Sequence, residues 1–413
     1  MHHFSYLKGE LFCEEVPVKK IAREVGTPFY LYSAKTFRRH FKAFENAFSD
    51  INHIVCFAVK ANSNLSVLSL LAQQGSGADI VSRGELFRAI KAGIPANRIV
   101  YSGVGKRPDE IKYALEQGIL MFNVESIPEL KCIAEQATGL GVKANISFRV
   151  NPDVDPKTHP YISTGLKKNK FGLAIKEAEA AYDMAAQIDS LNIIGIDCHI
   201  GSQLTQINPF VDALLRLLNL LDRLKQKGHQ IKYLDIGGGL GIHYHDEAPP
   251  EPDDYAKALL THLKDRDQTL ILEPGRAIAG NAGILVTELL YIKDSPEKCF
   301  YIVDAGMNDL ARPSLYQAYH EIIPVEQTNN SSTIIADIVG PICETGDFLA
   351  KDRQMPVLKQ GALLAVMSAG AYGFTMSSNY NSRPRVAEVM VDGSEFRIVR
   401  ERETLEDLIS KEL

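Results

Sequence analysis

Four short segments carry residue types that do more than pack. The apolar run Ile54-Val55-Cys56-Phe57-Ala58-Val59 is closed by Lys60 and followed by Ala61-Asn62. A partly desolvated lysine at the end of a buried strand can have its pKa lowered and form a Schiff base with a carbonyl compound. Alone, it reads better as a solvated residue ending a strand. A second run ends in Cys198-His199-Ile200-Gly201-Ser202-Gln203. Here an imidazole can stack on a planar group and a hydroxyl can donate to a phosphate; a hydrogen-bonded core histidine is the plainer reading. A third ends in Asp235-Ile236-Gly237-Gly238-Gly239-Leu240-Gly241. Three consecutive glycines present backbone N–H groups to an anion, or simply make a tight turn. The dinucleotide-binding spacing would need glycine at position 242, which is Ile242. The fourth is Leu272-Glu273-Pro274-Gly275-Arg276. A carboxylate there is costly to bury unless it meets a cation or a donor, and Arg276 can clamp a phosphate or a carboxylate.

Taken together these segments set a specific requirement. A lysine for a Schiff base, glycine N–H groups for a phosphate, a carboxylate for a protonated ring nitrogen and a histidine over the ring describe a pyridoxal phosphate site. Three later segments add groups of their own. Arg312-Pro313-Ser314-Leu315-Tyr316 offers a guanidinium and a phenol four residues apart. Cys343-Glu344-Thr345-Gly346-Asp347 places a thiol and two carboxylates in a turn, and Ala371-Tyr372-Gly373-Phe374 sets a phenol between small residues.

These groups need elements to position them. Strand patterns fall at 54–60, 78–82, 99–102, 121–125, 145–150, 193–199, 233–236 and 269–273. Most lack polar alternation, as parallel strands covered on both faces do. Amphipathic stretches lie between them, and several end at glycine: Gly75, Gly93, Gly118 and Gly228. Ser126 before Pro128-Glu129 reads as a helix N-cap. The count predicts a (β/α)8 TIM-type barrel over residues 30–280, whose reactive face lies at the C-terminal strand ends; a doubly wound open sheet is the alternative. Beyond 280, strand patterns at 284–292, 299–304, 333–339, 362–367, 386–391 and 395–399 predict a mostly β domain over 281–413, joined by residues 1–29. The polar stretch 325–332 reads as an exposed loop.

Bulk properties exclude several classes. The net charge of -6 recruits neither nucleic acid nor an anionic membrane surface. No apolar run approaches the roughly 20 residues of a membrane span. Six scattered cysteines without a CxxC pair suit reduced thiols in the cytoplasm. The N-terminus lacks a signal-peptide pattern. His243 and His245 make an H-x-H pair, but no third ligand is apparent and no metal is expected.

The segments FAVKAN, HIGSQ, DIGGGLG, LEPGR, ARPSLYQAYH, CETGD and SAGAYGFTMSSNYNSRPR, in that order from 55 to 385, resemble those of bacterial diaminopimelate decarboxylases. That resemblance implies an alanine-racemase-like barrel with a β domain, bound pyridoxal phosphate, and decarboxylation of meso-2,6-diaminopimelate to L-lysine. It implies that Lys60 carries the cofactor, His199 stacks on its ring, and Gly238, Gly239 and Ser202 hold its phosphate. Glu273 would meet the ring nitrogen, with Gly275 and Arg276 lining the cofactor. Arg276, Arg312 and Tyr316 would bind substrate carboxylates, Glu344 the distal substrate end, and Tyr372 both cofactor and substrate. Cys343 would be the proton donor, reaching into a partner's barrel across a homodimer interface. Relatives often have serine at Thr345, which keeps a hydroxyl, and proline in the 242–245 loop. Sister decarboxylases of ornithine, arginine, lysine or carboxynorspermidine share much of this site; Arg312 is the feature that favours a substrate with an extra carboxylate. A non-catalytic binding homologue would usually lack Lys60 or Cys343.

Overall fold

The computed structural model describes residues 2–154, 170–327 and 332–412. The chain forms two units. One comprises His40–Ile242 and Ala248–Ala277; the other comprises Met1–Arg39, His243–Glu247 and Ile278–Leu413.

The first unit is a closed barrel. Its eight main strands are His53–Ala58, Gly77–Ile80, Ile99–Tyr101, Met121–Val124, Ala144–Asn151, Leu191–Asp197, Tyr233–Asp235 and Thr269–Leu272. Each pairs in parallel with the next, and the last pairs with the first through Leu270 and His53. Closure excludes the open-sheet alternative. The two-residue strand Leu173–Ala174 extends one edge of Ala144–Asn151. Helices such as Leu65–Ala72, Pro108–Gln117 and Asn208–Gln226 run between strands. Their ends follow local chemistry. Ser126 Oγ accepts from Glu129 N at 3.3 Å, and Gly118 takes the left-handed conformation (φ 67°) that ends Pro108–Gln117. The interior changes character along the barrel axis. Ile54, Cys56, Val100, Met121, Ile194 and Ile271 make a buried apolar cluster. The C-terminal strand ends instead bring buried polar residues: Asp79, Asn123, Arg149, Asp197 and Asp235.

The second unit is mostly β. The strand Phe29–Ser33 lies between Gly283–Asp294, to which it is antiparallel, and Ala387–Asp392, to which it is parallel. All five of its residues are buried, so it belongs to this sheet and not to the barrel region that the sequence placed from residue 30. Phe29, Leu31, Ile284, Val286, Met367, Val389 and Val391 form its core. The N-terminal residues supply three short antiparallel strands, Phe4–Leu7, Glu10–Cys13 and Val16–Pro17. They also hold a helix, Val18–Val25, which the strand-like reading of this region did not anticipate; Val18, Ile21 and Ala22 are its buried face. Strands Ile322–Pro324 and Phe348–Pro356 were likewise not anticipated. The second buries Leu349, Ala350 and Met355, but the polar run Lys351-Asp352-Arg353-Gln354 interrupts its apolar residues, so it shows no sustained strand pattern. Of the stretch 325–332, residues 328–331 lie outside the described residues.

Candidate active site

Lys60 does not end the first barrel strand, as the sequence pattern suggested. That strand stops at Ala58, and Lys60 sits in the single helical turn Val59–Ala61. Its Nζ is ion-paired and hydrogen-bonded to Asp79 Oδ2 at the end of the second strand. Asp79 is fully buried, and its Oδ1 has no hydrogen-bond partner.

Glu273 follows the eighth strand directly and is buried. Its Oε1 lies 3.5 Å from both Ser102 Oγ and Asn123 Nδ2. The same Asn123 nitrogen donates to Asp235 Oδ2 at 3.3 Å, while Asp235 Oδ1 accepts from Gly237 N at 2.9 Å. Carboxylate oxygens of Asp197, Asp235 and Glu273 all lie within 4.8 Å of one another. Among the described residues this is the one group close enough to hold a metal ion. Burial, then the Asp235, Asp79 and Asp197 charges, pushes the Glu273 carboxyl well above its usual range, against the pull of Lys60. Burial likewise holds Asp235 up to about 7, with Asp79 adding to it. Arg149 counters part of this charge: Nη1 donates to Glu125 Oε1 at 2.9 Å.

His199 stands two residues past the sixth strand. Gly238 N donates to its Nδ1 at 3.2 Å, so Nδ1 is the bare nitrogen. Burial and the nearby charges of Arg149 and Lys60 hold its pKa well below the ordinary value, keeping the ring neutral. The glycine turn exists because nothing larger fits. A Cβ on Gly238 would overlap the Glu273 carbonyl oxygen, and one on Gly239 (φ 112°) would overlap that of Gly201. A Cβ on Gly275 would stand 3.0 Å from that of Ala58. Arg276 donates from Nη2 to Ser202 Oγ at 3.1 Å, which leaves the Ser202 hydroxyl hydrogen for another acceptor. Lys60, His199, Ser202, Gly238, Gly239, Glu273, Gly275 and Arg276 thus gather at the C-terminal end of one barrel.

The remaining candidates lie in the β unit. Arg312 opens the short helix Arg312–Tyr316 and is buried, with its Cζ 4.6 Å from the Tyr244 ring centre. Tyr316 is half-buried. Cys343 and Glu344 are exposed. The turn around them is tied down: Cys343 N donates to Asn381 Oδ1 at 2.8 Å, Tyr380 donates to Glu344, and Asp347 accepts from Met307 N at 2.6 Å and Ile342 N at 2.7 Å. Tyr372 is half-buried and left-handed (φ 55°). His245 stacks on Tyr319, ring centres 4.0 Å apart, and His243 Nδ1 lies 2.8 Å from the Glu247 carbonyl.

The model of the pyridoxal-dependent decarboxylase, pyridoxal binding domain, matches residues 34–280. A diaminopimelate decarboxylase from Pseudomonas aeruginosa is 56% identical over 412 residues, covering 100% of this chain and 99% of its own. The chain belongs to the diaminopimelate decarboxylase family. Solved structures from the family superpose closely. That from M. jannaschii in complex with L-lysine gives a TM-score of 0.95 at 40% identity, covering 100% of this chain and 99% of its own. That from Helicobacter pylori, also with L-lysine, gives 0.92 at 45%, covering 95% and 98%.

The cofactor of this pyridoxal-dependent family is pyridoxal phosphate, and the barrel end fits it. Asp79, Asp197, Asp235 and Glu273 crowd negative charge into a buried space, and Asp79 Oδ1 and Asp197 Oδ1 lack hydrogen-bond partners there. A cationic ring nitrogen beside Glu273 relieves that crowding. Sequence reasoning had left Asp79, Asn123, Arg149 and Asp197 unassigned. Their common signal is one polar residue inside an otherwise apolar strand, as in Gly77-Ala78-Asp79-Ile80 and Phe148-Arg149-Val150.

Proposed function

We propose that this chain removes CO2 from the D-configured centre of meso-2,6-diaminopimelate to give L-lysine. The observation that carries this reading is the pairing of a lysine amine with a buried carboxylate on neighbouring strands. Lys60 follows the first strand and Glu273 the eighth, and these strands are hydrogen-bonded to each other. Lys60 would hold the cofactor aldehyde and Glu273 its ring nitrogen. Gly238, Gly239 and Ser202 would hold its phosphate, with Gly275 and Arg276 lining it, and neutral His199 would cover the ring. When bound, pyridoxal phosphate supplies the electron sink that accepts the electron pair left by the departing carboxylate.

The protein's own residues do the rest. Asp79 holds the Lys60 ammonium at the C-terminal strand ends, where the amine would meet the cofactor. Arg276, Arg312 and Tyr316 would bind substrate carboxylates and so orient the scissile bond. Glu344 contacts the distal substrate amine, and Tyr372 bounds both cofactor and substrate. Cys343 Sγ supplies the proton that the α-carbon takes up after CO2 leaves. The exposure of Cys343 and Glu344 in the single chain supports their insertion into a partner's barrel, and so a homodimer. No helix among the described residues is long and apolar enough to cross a membrane. The free cysteines support a cytoplasmic enzyme.

Purified protein with added pyridoxal phosphate should release CO2 from meso-diaminopimelate and leave ornithine and lysine almost untouched. Lys60→Ala should lose both the cofactor's visible absorbance and turnover. Preferred turnover of ornithine or lysine, or normal activity of Lys60→Ala, would refute the assignment.

A further inference from the structure

Arg312 has companions that no assignment of the site explains. Its Nη1 lies 2.9 Å from Nε2 of His320, and His320 Nδ1 lies 2.8 Å from the backbone carbonyl oxygen of Met367. His320 is fully buried. These two contacts permit one arrangement of protons. A carbonyl oxygen only accepts, and a guanidinium N–H only donates. Nδ1 therefore carries the hydrogen, Nε2 is bare, and the imidazole is neutral. The ring is anchored beyond that pair. Tyr244 meets it edge-on, with ring centres 5.4 Å apart at 80°, and the same tyrosine presents its face to the Arg312 guanidinium. Arg353 Nη1 donates to the His320 carbonyl oxygen at 2.8 Å, which pins the backbone as well.

We propose that His320 is a positioning residue, which aims Arg312 at the substrate carboxylate that is not lost in the reaction. The inference rests on the reading above, in which Arg312 binds a substrate carboxylate. A carboxylate partner in the place of His320 would orient the guanidinium equally well, but it would cancel the charge that attracts an anion. A neutral imidazole and an aromatic face fix direction and leave that charge in place. Such an arrangement matters most for ligands that carry the remote carboxylate. L-lysine keeps it; cadaverine is the same diamine chain without it.

The test uses cofactor-loaded enzyme and these two probes. His320→Gln keeps an acceptor near the place of Nε2. His320→Asn is shorter and keeps only the donor to Met367. Arg312→Leu removes the guanidinium itself. Dissociation constants for L-lysine and cadaverine are measured by titration, with KM and kcat for meso-diaminopimelate alongside. His320→Asn should weaken L-lysine roughly tenfold or more, the scale of one buried charge-assisted contact, and raise KM in step. Cadaverine should change by less than about twofold, and His320→Gln should keep most of the wild-type preference. Equal weakening of both ligands by His320→Asn, or no weakening of either, would overturn the inference. Arg312→Leu separates the two failures. If it abolishes the preference for L-lysine while His320→Asn does not, the positioning role alone is wrong. If it leaves that preference intact, the reading of Arg312 is wrong and the role of His320 falls with it.

Discussion

Gly238→Ala is the sharpest test of how the glycine turn is built. The added Cβ would overlap the Glu273 carbonyl oxygen and stand 2.9 Å from the Glu273 carbonyl carbon and 3.6 Å from Pro274 Cα. All three are backbone atoms, so no side-chain rotation relieves the clash. The ends of the seventh and eighth strands must move apart. That motion strains the Glu273 N–H to Gly237 carbonyl bond (2.8 Å) and the Ala58 N–H to Pro274 carbonyl bond (3.2 Å). Overpacking of this kind costs about 1–3 kcal/mol. One weakened hydrogen bond adds about 1 kcal/mol, for a loss of about 2–4 kcal/mol in total. The displaced segment carries Glu273, and Ala58 leads directly into Lys60, so cofactor binding should fall as well. Gly139→Ala is the control. It lies in the helix Ile127–Leu140 with nothing within 4 Å of an added Cβ, and should gain up to about 1 kcal/mol from helix propensity. Urea unfolding midpoints at constant slope, read with the cofactor's visible absorbance, measure both. A Gly238→Ala protein with the wild-type midpoint and full cofactor content would refute the packing argument.

Two further outcomes are expected. Burial, reinforced by the charge of Asp79, holds the Asp235 carboxyl up to about 7, so the folded chain binds this proton more tightly than the unfolded chain does. In cofactor-free protein the contribution of this group to stability is therefore present at low pH and declines as pH rises towards 7. Asp235→Asn should flatten that decline in urea midpoints between about pH 4 and 7, and an unchanged slope would contradict the sign. If the chain forms the proposed dimer, Lys60→Ala and Cys343→Ala should each be nearly inactive, yet their mixed and re-associated subunits should regain up to about a quarter of wild-type activity, because half the dimers would then hold one intact shared site. A mixture that stays inactive despite exchanging subunits would count against a shared site.

The barrel was legible because its signal is local. Runs such as Ile54–Ala58 and Ile99–Tyr101 are buried and rich in apolar residues on both faces, and glycines such as Gly118 punctuate the helices between them. The β unit was less legible. Val18–Val25 spaces Val18, Ile21, Ala22 and Val25 on one face but over only eight residues, and Phe348–Pro356 breaks its apolar residues with Lys351 to Gln354. Phe29–Ser33 is assigned to its sheet by partners more than 250 residues away, Gly283 to Val286, which no local pattern encodes.

The chemistry divides in the same way. Residue types and their order already determined a lysine, a glycine turn, a carboxylate and a histidine, each just after an apolar strand, because strand ends are read from local hydrophobicity. Closure of the barrel decided which of these meet. Pairing of the first strand with the second placed Lys60 against Asp79, and the closed barrel set Glu273 among Asp197, Asp235 and Asn123, residues far from it in the chain. The charge state of such groups depends on burial and on the field of neighbours brought in by folding. The sequence could name Glu273 and Arg312; only the tertiary structure surrounds one with like charges and sets a neutral imidazole against the other.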